Sequence, residues 1–224
     1  MTELGWLTRV LGDVPAHDRW LSEREHQILS TLRVAKRRAD WRLGRWAGKA
    51  AVAAWQGVAP DVVEVVAAND GSPEALVDGE EASVALSLSH RAGRALATAG
   101  DAPRALGCDL ETVEPRGLAF VHQWLRPAER ELVSGLAGER RDLAANLLWT
   151  AKEAASKARR QGLWLDLRQA TVGSRVGHSP GGWERLRVAW ADGAVELGWW
   201  RGEPGWVMAV VSDPASDGPP CELG

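Results

Sequence analysis

Two carboxylates separated by one residue lie mid-chain, in the run Gly107-Cys-Asp109-Leu-Glu111. The run Ala105 to Glu111 is predicted to form a strand, on which residues two apart project from the same face. Adjacent carboxylates repel each other unless a cation lies between them. Mg²⁺ prefers oxygen ligands and commonly binds one or two carboxylates together with phosphate oxygens. The pair is therefore suited to a metal–phosphate site, although two solvated acids at a strand end are the commoner explanation of such a pattern.

A second group of reactive side chains lies in Trp149-Thr-Ala-Lys152-Glu153-Ala-Ala-Ser-Lys157, which is predicted to be helical. Glu153 and Lys157 are four residues apart and share a helix face. Lys152 precedes Glu153 by about 100° of rotation. If this helix packs on the Asp109 strand, Glu153 completes a three-carboxylate metal site and the lysines face a pyrophosphate. The alternative is an ordinary surface ion pair on an alanine-rich helix.

Two further polar patterns are typical of phosphate binding. Ser87-Leu-Ser89-His90-Arg91 ends a predicted strand and offers several hydrogen-bond donors. A predicted helix carries a basic stripe, which suits a multiply charged phosphate ligand or a nucleic-acid backbone. A polar loop and a solvated helix face explain the same residues without any ligand. The stripe consists of Arg38, Arg42, Arg45 and Lys49.

The elements that must position these groups can be predicted from local signals. Ser22-Glu-Arg-Glu25 is a capping box that starts a helix. A second helix is predicted from about Val34 to Trp55, ended by Gly57. Strands are predicted over residues 1–14, 62–66, 83–89, 95–99 and 105–111. In the later part of the chain a helix begins at Pro127, another spans about 140–160 before Gly162, and strands follow at 170–172, 186–191, 194–200 and 206–211.

The two halves of this predicted pattern resemble each other. Each has a leading strand, an acid-capped short helix, a longer helix and trailing strands, which predicts an α+β fold. Internal duplication and chance both explain the similarity of the two patterns. We expect an N-terminal α+β half over 1–104, a C-terminal α+β half over 105–213, and a disordered tail over 214–224.

Composition restricts the function classes further. The chain has 224 residues, 45% hydrophobic and 25% charged, which suits one large domain or two small fused ones. A net charge of −3 gives no indication of a nucleic acid or an anionic membrane as partner. Cys108 and Cys221 form neither a disulfide framework nor a zinc motif. No secretory signal pattern and no bilayer-length apolar run is present, so we expect a cytoplasmic protein.

Taken together, four segments resemble the Sfp-type 4′-phosphopantetheinyl transferase family, in the same order along most of the chain. They are Lys36–Arg45, Ser87–His90, Gly107–Glu111 and Trp149–Lys157. The resemblance implies a pseudo-symmetric pair of α+β halves, with the active site at the half–half interface. It also implies Mg²⁺-dependent transfer of phosphopantetheine from coenzyme A to a serine of an apo acyl, peptidyl or aryl carrier protein.

The same resemblance implies a role for each matching residue. Asp109, Glu111 and Glu153 would hold Mg²⁺. Glu153 would also be the base for the carrier serine, and Lys157 would contact the pyrophosphate and assist the leaving group. The implied catalytic residues are thus Asp109, Glu153 and Lys157. The implied coenzyme A contacts are Arg37, Arg45, His90, Lys152, Lys157 and Asp109.

One segment departs from the family pattern. Many members carry a lysine in or just before a turn that here reads Asp70-Gly-Ser-Pro73, and Arg91 or Arg94 is a possible replacement. The departure motivates a second hypothesis, an inactive coenzyme-A-binding module, and the basic stripe motivates a weaker third, a nucleic-acid-binding protein. A fused two-half chain favours a monomer. The sequence leaves open which carrier is modified and whether acyl-coenzyme A is accepted.

Overall fold

The computed structural model describes residues 3–161, 165–174 and 182–224. These ranges form a mixed α+β fold, as predicted. The helices are α1 (Glu23–Thr31), α2 (Ala35–Gln56), α3 (Leu118–Trp124), α4 (Pro127–Ser134) and α5 (Gly138–Ala158). The strands are β1 (Leu4–Val10), β2 (Val63–Ala67), β3 (Pro73–Val77), β4 (Glu80–Glu81), β5 (Val84–Arg91), β6 (Arg94–Asp101), β7 (Ala105–Thr112), β8 (Ala170–Ser174), β9 (Glu184–Trp190), β10 (Val195–Glu203), β11 (Trp206–Asp213) and β12 (Cys221–Glu222).

The first half of the chain packs α2 on a four-stranded sheet of order β12-β1-β6-β5, with a small β2-β3-β4 sheet beside it. Helix α2 buries Leu43, Ala47 and Ala51 completely. Its small residues allow close packing, since a Cβ on Gly48 would lie 3.2 Å from a methyl group of Val65. Gly57 ends the helix at φ 70°, a left-handed conformation that suits glycine, so the predicted stop is confirmed.

The second half packs α5 on a five-stranded sheet of order β7-β11-β10-β9-β8. The contact between α5 and β7 is especially close, because a Cβ on Gly107 would lie 1.9 Å from the Ala154 carbonyl oxygen. Only glycine permits this approach. It places the reactive segment of α5 directly against the strand that carries Asp109.

The two halves meet along the edge strands β5 and β7. Leu106, Cys108 and Leu110 point into a buried cluster that also includes Leu4 and Trp6 of the first half, as the alternating pattern predicts. The Ser87 hydroxyl accepts a hydrogen bond from the Cys108 backbone N–H at 2.9 Å. This contact satisfies a strand-edge donor and ties the two sheets together.

A buried ion pair supports the start of α1 in the first half. Glu25 completes the predicted capping box with Ser22 and forms an ion pair with Lys49 at 2.7 Å. Its other oxygen accepts from the Val65 backbone N–H at 3.1 Å. Lys49 also donates to the Trp20 carbonyl at 2.8 Å. One carboxylate thus joins α1, α2 and β2.

The second half repeats this arrangement at the start of α4. Glu129 caps the helix at Arg126 and forms an ion pair with Lys152 at 2.6 Å. Its other oxygen accepts from the Val172 backbone N–H at 2.8 Å, and Lys152 donates to the Trp124 carbonyl at 2.9 Å. The same set of contacts around a buried Glu–Lys pair therefore occurs once in each half. Internal duplication and chance similarity both explain this repetition.

The Glu129 network gives a stability prediction. We expect Glu129→Ala to lower the free energy of unfolding by about 3–5 kcal/mol, because it leaves the Lys152 ammonium buried without a counter-charge. Urea unfolding followed by circular dichroism measures the loss. Glu131→Ala, on the exposed side of the same helix, should change stability by less than about 0.5 kcal/mol. A similarly small loss for Glu129→Ala would contradict the assigned role.

The C-terminal residues differ from the sequence prediction. Instead of a disordered tail over 214–224, β12 pairs in parallel with β1 of the first half. Leu223 packs into the space left by the absent side chain of Gly5. The Ser216 hydroxyl accepts from the Trp199 indole N–H at 2.9 Å. One apolar side chain that fits a glycine gap thus anchors a segment whose composition is typical of disorder.

Other boundaries differ in smaller ways. Helix α5 spans Gly138–Ala158 rather than 140–160, and the predicted stop at Gly162 lies outside the described residues. The short elements α3, β3 and β4 were not predicted. Among the described helices, none is long and apolar enough to cross a membrane.

Candidate active site

The Asp109 carboxylate lies where three of the sequence motifs meet. Its Oδ1 accepts from the Ser89 hydroxyl of β5 at 2.7 Å and from the Lys157 ammonium of α5 at 2.8 Å. Its Oδ2 is buried and has no hydrogen-bond partner within the described part of the chain. The Asp109 side chain is only 8% exposed. A buried acceptor without a donor is costly, so this oxygen is suited to binding a group that arrives with the ligand.

Glu111 projects from the same face of β7 into a positively charged neighbourhood. Its Oε2 lies 3.3 Å from both Arg91 and Arg116. Its Oε1 accepts from the Trp149 indole N–H at 3.3 Å. Burial, followed by the nearby Asp109 charge, raises the pKa of Glu111 against the opposing effect of the arginines. Arg116 was not predicted, because it follows β7 in a loop without a recognisable motif.

Glu153 of α5 completes the acidic group. Burial raises the pKa of its carboxyl, and the charges of Asp109 and then Glu111 raise it further, against the opposing effect of Lys157. Because the Asp109 charge raises the pKa of both glutamates, the three acids lie in one electrostatic environment. A carboxylate with a raised pKa is also a stronger base.

Lys157 supplies the positive charge closest to these acids. Burial by itself lowers the pKa of its ammonium, but Asp109, Cys108 and Glu153 outweigh that effect and raise the pKa overall. Its Nζ also donates to the Cys108 carbonyl at 3.0 Å. The side chain remains 32% exposed. The lysine is therefore charged, oriented by β7 and still accessible from the cleft.

The fit of this group to a divalent cation can be tested on its donors. As they stand, the described residues include no set of three or more His, Cys, Asp and Glu side chains arranged to hold a metal ion. Lys157 and the arginines at Glu111 instead neutralise the acids. The donor chemistry nevertheless suits Mg²⁺, because Asp109 Oδ2 lacks a partner among the described residues and the Asp109 charge raises the pKa of both Glu111 and Glu153.

Beyond Asp109, the site continues along β5 to His90, where α2 comes close. A Cβ on Gly44 would lie 3.9 Å from the His90 ring. Partial desolvation lowers the pKa of His90, and the charge of Asp40 opposes that shift. This imidazole therefore favours the neutral form, which both donates and accepts hydrogen bonds.

Arg45 of α2 has unused hydrogen-bonding capacity. Its guanidinium lies 5.0 Å from the Trp41 ring centroid, and its buried Nε has no hydrogen-bond partner in the described ranges. Burial lowers the pKa of Arg45, and Glu25 partly opposes the shift. A planar cation held on an aromatic ring is suited to binding a phosphate.

A cavity of about 710 Å³ opens between the halves, and Lys157 forms part of its lining. The turn Asp70–Glu74 and residues 84–88 of β5 form its walls in the first half. The rest of the lining consists of Glu81, Ala82, residues 102–106, Lys157, Arg160 and Asp213. The cavity is large enough for part of a small-molecule ligand.

The comparison with protein families identifies the second half of this molecule. Residues 105–210 match the model described as the 4′-phosphopantetheinyl transferase superfamily. This segment is a 4′-phosphopantetheinyl transferase superfamily domain. No curated protein matches the chain. The family predicted from the four motifs is thus confirmed at the level of the superfamily and for this segment, while the Sfp type stays a prediction.

The superfamily domain contains only part of the candidate site. Asp109, Glu111, Glu153 and Lys157 lie inside the matched segment. Ser89 lies outside it and nevertheless donates directly to Asp109. His90 and Arg45 also lie outside it. The structure therefore joins residues of the first half to the acidic group of the transferase domain.

The expectation that Lys152 borders the ligand phosphates is wrong. Its side chain has no exposed surface, and its ammonium is bound by Glu129 and the Trp124 carbonyl. Burial lowers the pKa of Lys152, and Glu129 partly restores it. The rotation of about 100° between successive helix residues directs this lysine to α4, away from the side of α5 that carries Glu153 and Lys157.

The basic stripe of α2 is largely occupied by the protein itself. Arg38 donates to the Leu29 carbonyl at 2.7 Å, and Arg42 pairs with Asp18 at 2.8 Å. Lys49 is buried with Glu25. The continuous solvated stripe on which the nucleic-acid hypothesis rests is therefore absent from α2. Arg37 is exposed and forms no ion pair with a described residue.

The arginines considered as replacements for the missing turn lysine are engaged elsewhere. Arg94 pairs with Glu203 at 2.8 Å and stacks on Trp206. Arg91 pairs with Glu111 and with Glu114 at 3.2 Å. Neither forms an ion pair with Asp70 or Glu74 in the described part of the chain.

An aromatic cluster borders the acidic group on the α3 side. Trp149 contacts Phe120 and Trp124 edge-on, with centroid distances of 5.4 and 5.1 Å. Because Trp149 also donates to Glu111, the cluster supports that carboxylate. Next to it, Leu118 is 71% exposed, which gives α3 an apolar surface beside the site.

Proposed function

We propose that the protein transfers 4′-phosphopantetheine from coenzyme A to a serine of an apo acyl, peptidyl or aryl carrier protein, with Mg²⁺ as cofactor. The Asp109 carboxylate is the observation that carries this proposal. It lies in a 4′-phosphopantetheinyl transferase superfamily domain, accepts from Ser89 and Lys157, and keeps one buried oxygen without a partner. The proposed enzyme is a holo-carrier-protein synthase.

Three side chains would hold the Mg²⁺ ion, namely Asp109, Glu111 and Glu153. When bound, the ion supplies charge neutralisation at the pyrophosphate of coenzyme A. In the arrangement described here, Lys157 and the arginines beside Glu111 neutralise these carboxylates. Their ability to attract positive charge is thus already visible in the protein alone.

Glu153 is the proposed general base. Its carboxylate accepts the proton of the carrier serine as the serine oxygen forms a bond to the pantetheine-bearing phosphorus. The bridging P–O bond breaks, and adenosine 3′,5′-bisphosphate leaves with the bonding electrons. The burial and like charges that raise the pKa of Glu153 make it a stronger base than a solvated glutamate.

Lys157 is the proposed stabiliser of the leaving group. Its Nζ is fixed by Asp109 and the Cys108 carbonyl, and its side chain borders the cleft. A preorganised cation lowers the barrier because it need not reorient as negative charge develops. Arg45 and His90 would contact further phosphate oxygens of coenzyme A.

An intact-mass assay tests the proposed function. Purified protein with coenzyme A and Mg²⁺ should add the mass of one phosphopantetheine group to an apo carrier. Acyl, peptidyl and aryl carriers are compared, each with a Ser→Ala variant of the modified serine as control. No gain with any carrier, in protein that still binds coenzyme A, would contradict transfer.

The second candidate is a coenzyme-A-binding module without transferase activity. One observation favours it, since no metal-binding set is preformed among the described residues and Lys157 occupies Asp109 instead. The mass assay separates the candidates, because the module would bind coenzyme A and leave every carrier unchanged.

A further inference from the structure

Arg160 is a second cation on the wall of the cleft that contains Lys157. It follows α5 directly, three residues beyond Lys157, and both side chains line the same cavity. Arg160 has φ 53°, a left-handed conformation that is uncommon outside glycine. The chain thus leaves the helix at the residue whose guanidinium borders the cleft.

Two carboxylates from the opposite half hold this guanidinium. Asp70 lies 2.8 Å from its Nε and 3.3 Å from its Nη2, and Glu74 lies 3.0 Å from Nη2. Asp70 is itself fixed by the Ser72 hydroxyl at 2.6 Å and the Ser72 backbone N–H at 3.0 Å. The turn without a lysine is therefore the turn that places Arg160.

The electrostatics of this contact favour fully charged partners. Hydrogen bonds from Arg160 and Ser72 hold the pKa of Asp70 well below its usual range. Asp70 and Glu74 raise the pKa of Arg160 above that of a free guanidinium. All three side chains are nonetheless solvent-accessible, with 48%, 33% and 44% of the Arg160, Asp70 and Glu74 side chains exposed.

The carboxylates in such a solvent-accessible ion pair are easily replaced at Arg160 by a stronger partner. Exposed ion pairs contribute little net stability because water competes for both charges. A guanidinium binds two phosphate oxygens at once, and the phosphate brings more charge than a carboxylate. A phosphorylated ligand entering the cavity can therefore replace Asp70 and Glu74 at Arg160 at small cost.

We propose that Arg160 is a positioning residue that binds a phosphate group of coenzyme A, and that Asp70 and Glu74 hold its guanidinium in place until the ligand enters. The inference rests on the proposed function. The turn at Asp70 has no lysine, and Arg160 of the opposite half supplies the positive charge instead. Arg160 thus contributes to recognition of the co-substrate at the boundary between the halves.

Calorimetric titration with coenzyme A provides the test. Arg160→Ala should weaken binding about 10–100-fold, as expected for loss of a charge-assisted hydrogen-bonded pair, and Arg160→Lys should recover part of the loss. Asp70→Asn combined with Glu74→Gln should tighten binding a few-fold, because it frees the guanidinium. If Arg160 only links the two halves, Arg160→Ala and the double variant should change coenzyme A affinity in the same direction. That result would overturn the proposal.

Two controls separate this effect from general changes in charge. Arg159→Ala removes the neighbouring arginine, whose partner Asp192 lies 2.6 Å away and which does not line the cavity. Glu81→Gln removes a cavity-wall acid that forms no ion pair with a described residue. If Glu81→Gln tightens binding as much as the double variant does, the gain is a field effect and the proposal fails. In an Arg160→Ala background, adding Asp70→Asn and Glu74→Gln should tighten coenzyme A binding no more than Glu81→Gln does.

Dephospho-coenzyme A shows which phosphate is involved. If Arg160→Ala weakens binding of coenzyme A but not of dephospho-coenzyme A, Arg160 binds the 3′-phosphate. If it weakens binding of both ligands, Arg160 binds the pyrophosphate. Either outcome supports the proposal, whereas no loss with either ligand overturns it. Wild-type protein that fails to bind coenzyme A would instead contradict the proposed function. In the transferase assay the variant should raise the KM for coenzyme A more than it lowers kcat.

Discussion

Replacing Asp109 by asparagine should reduce phosphopantetheine transfer at least about 100-fold, because even outer partners of a metal site are worth 10–100-fold. The substitution preserves shape and an acceptor for Ser89, while it removes the charge that binds Lys157. It also removes the buried oxygen proposed as a metal ligand. Initial rates of carrier modification, measured by intact mass at saturating Mg²⁺, give the effect.

The matched control for this prediction is Asp61→Asn, an exposed aspartate remote from β7 in the sequence. It should retain the wild-type rate. Thermal unfolding of Asp109→Asn should stay cooperative, which separates a catalytic loss from a folding defect. An Asp109→Asn protein that turns over at the wild-type rate would disprove the assignment of this carboxylate to the metal.

Glu153→Gln should lower kcat about 10²–10⁴-fold with a much smaller change in the KM for the carrier, as expected when a general base is removed. Glutamine has nearly the same shape but cannot accept the serine proton. The substitution also removes a carboxylate whose ionisation is disfavoured by burial and by Asp109. Steady-state kinetics with one carrier, at saturating coenzyme A and Mg²⁺, separates the two constants.

Glu139→Gln supplies the control on the same helix, since Glu139 lies in the exposed first turn of α5. It should leave kcat unchanged. Because Glu153 is also a proposed metal ligand, the Mg²⁺ concentration that gives half-maximal rate is measured for each variant. If extra Mg²⁺ restores full activity to Glu153→Gln, the residue binds metal but is not the base.

Local signals predicted the longer elements well. The Ser22–Glu25 capping box, the stop at Gly57 and the acidic helix start after Pro127 all occur in the structure. These features depend on residues only a few positions apart, so a sequence contains the information directly. The short elements α3, β3 and β4 escaped prediction because their formation depends on packing rather than on a repeated pattern.

The sequence predicted some of the candidate-site residues and missed others, because their contacts also depend on packing. The order of the motifs pointed to Asp109 and Lys157 together, and these side chains do contact each other. Ser89, which was predicted only as one of several hydrogen-bond donors at a strand end, also donates to Asp109. Lys152 sits in the same motif but binds Glu129 instead. Arg160 belongs to no motif, and its importance arises from carboxylates 86 and 90 residues away along the chain.

The carboxylate pair of β7, Asp109 and Glu111, illustrates the division between sequence and tertiary structure. The sequence by itself determined the chemical types of the donors, their spacing on one strand face and the superfamily they indicate. Only the tertiary structure decided which groups face them. The missing side chain of Gly107 lets α5 lie against β7, and the neighbouring edge strands β5 and β7 of the two sheets bring Ser89 to Asp109. Such contacts join residues far apart in the chain, so they depend on packing of the whole molecule rather than on any local pattern.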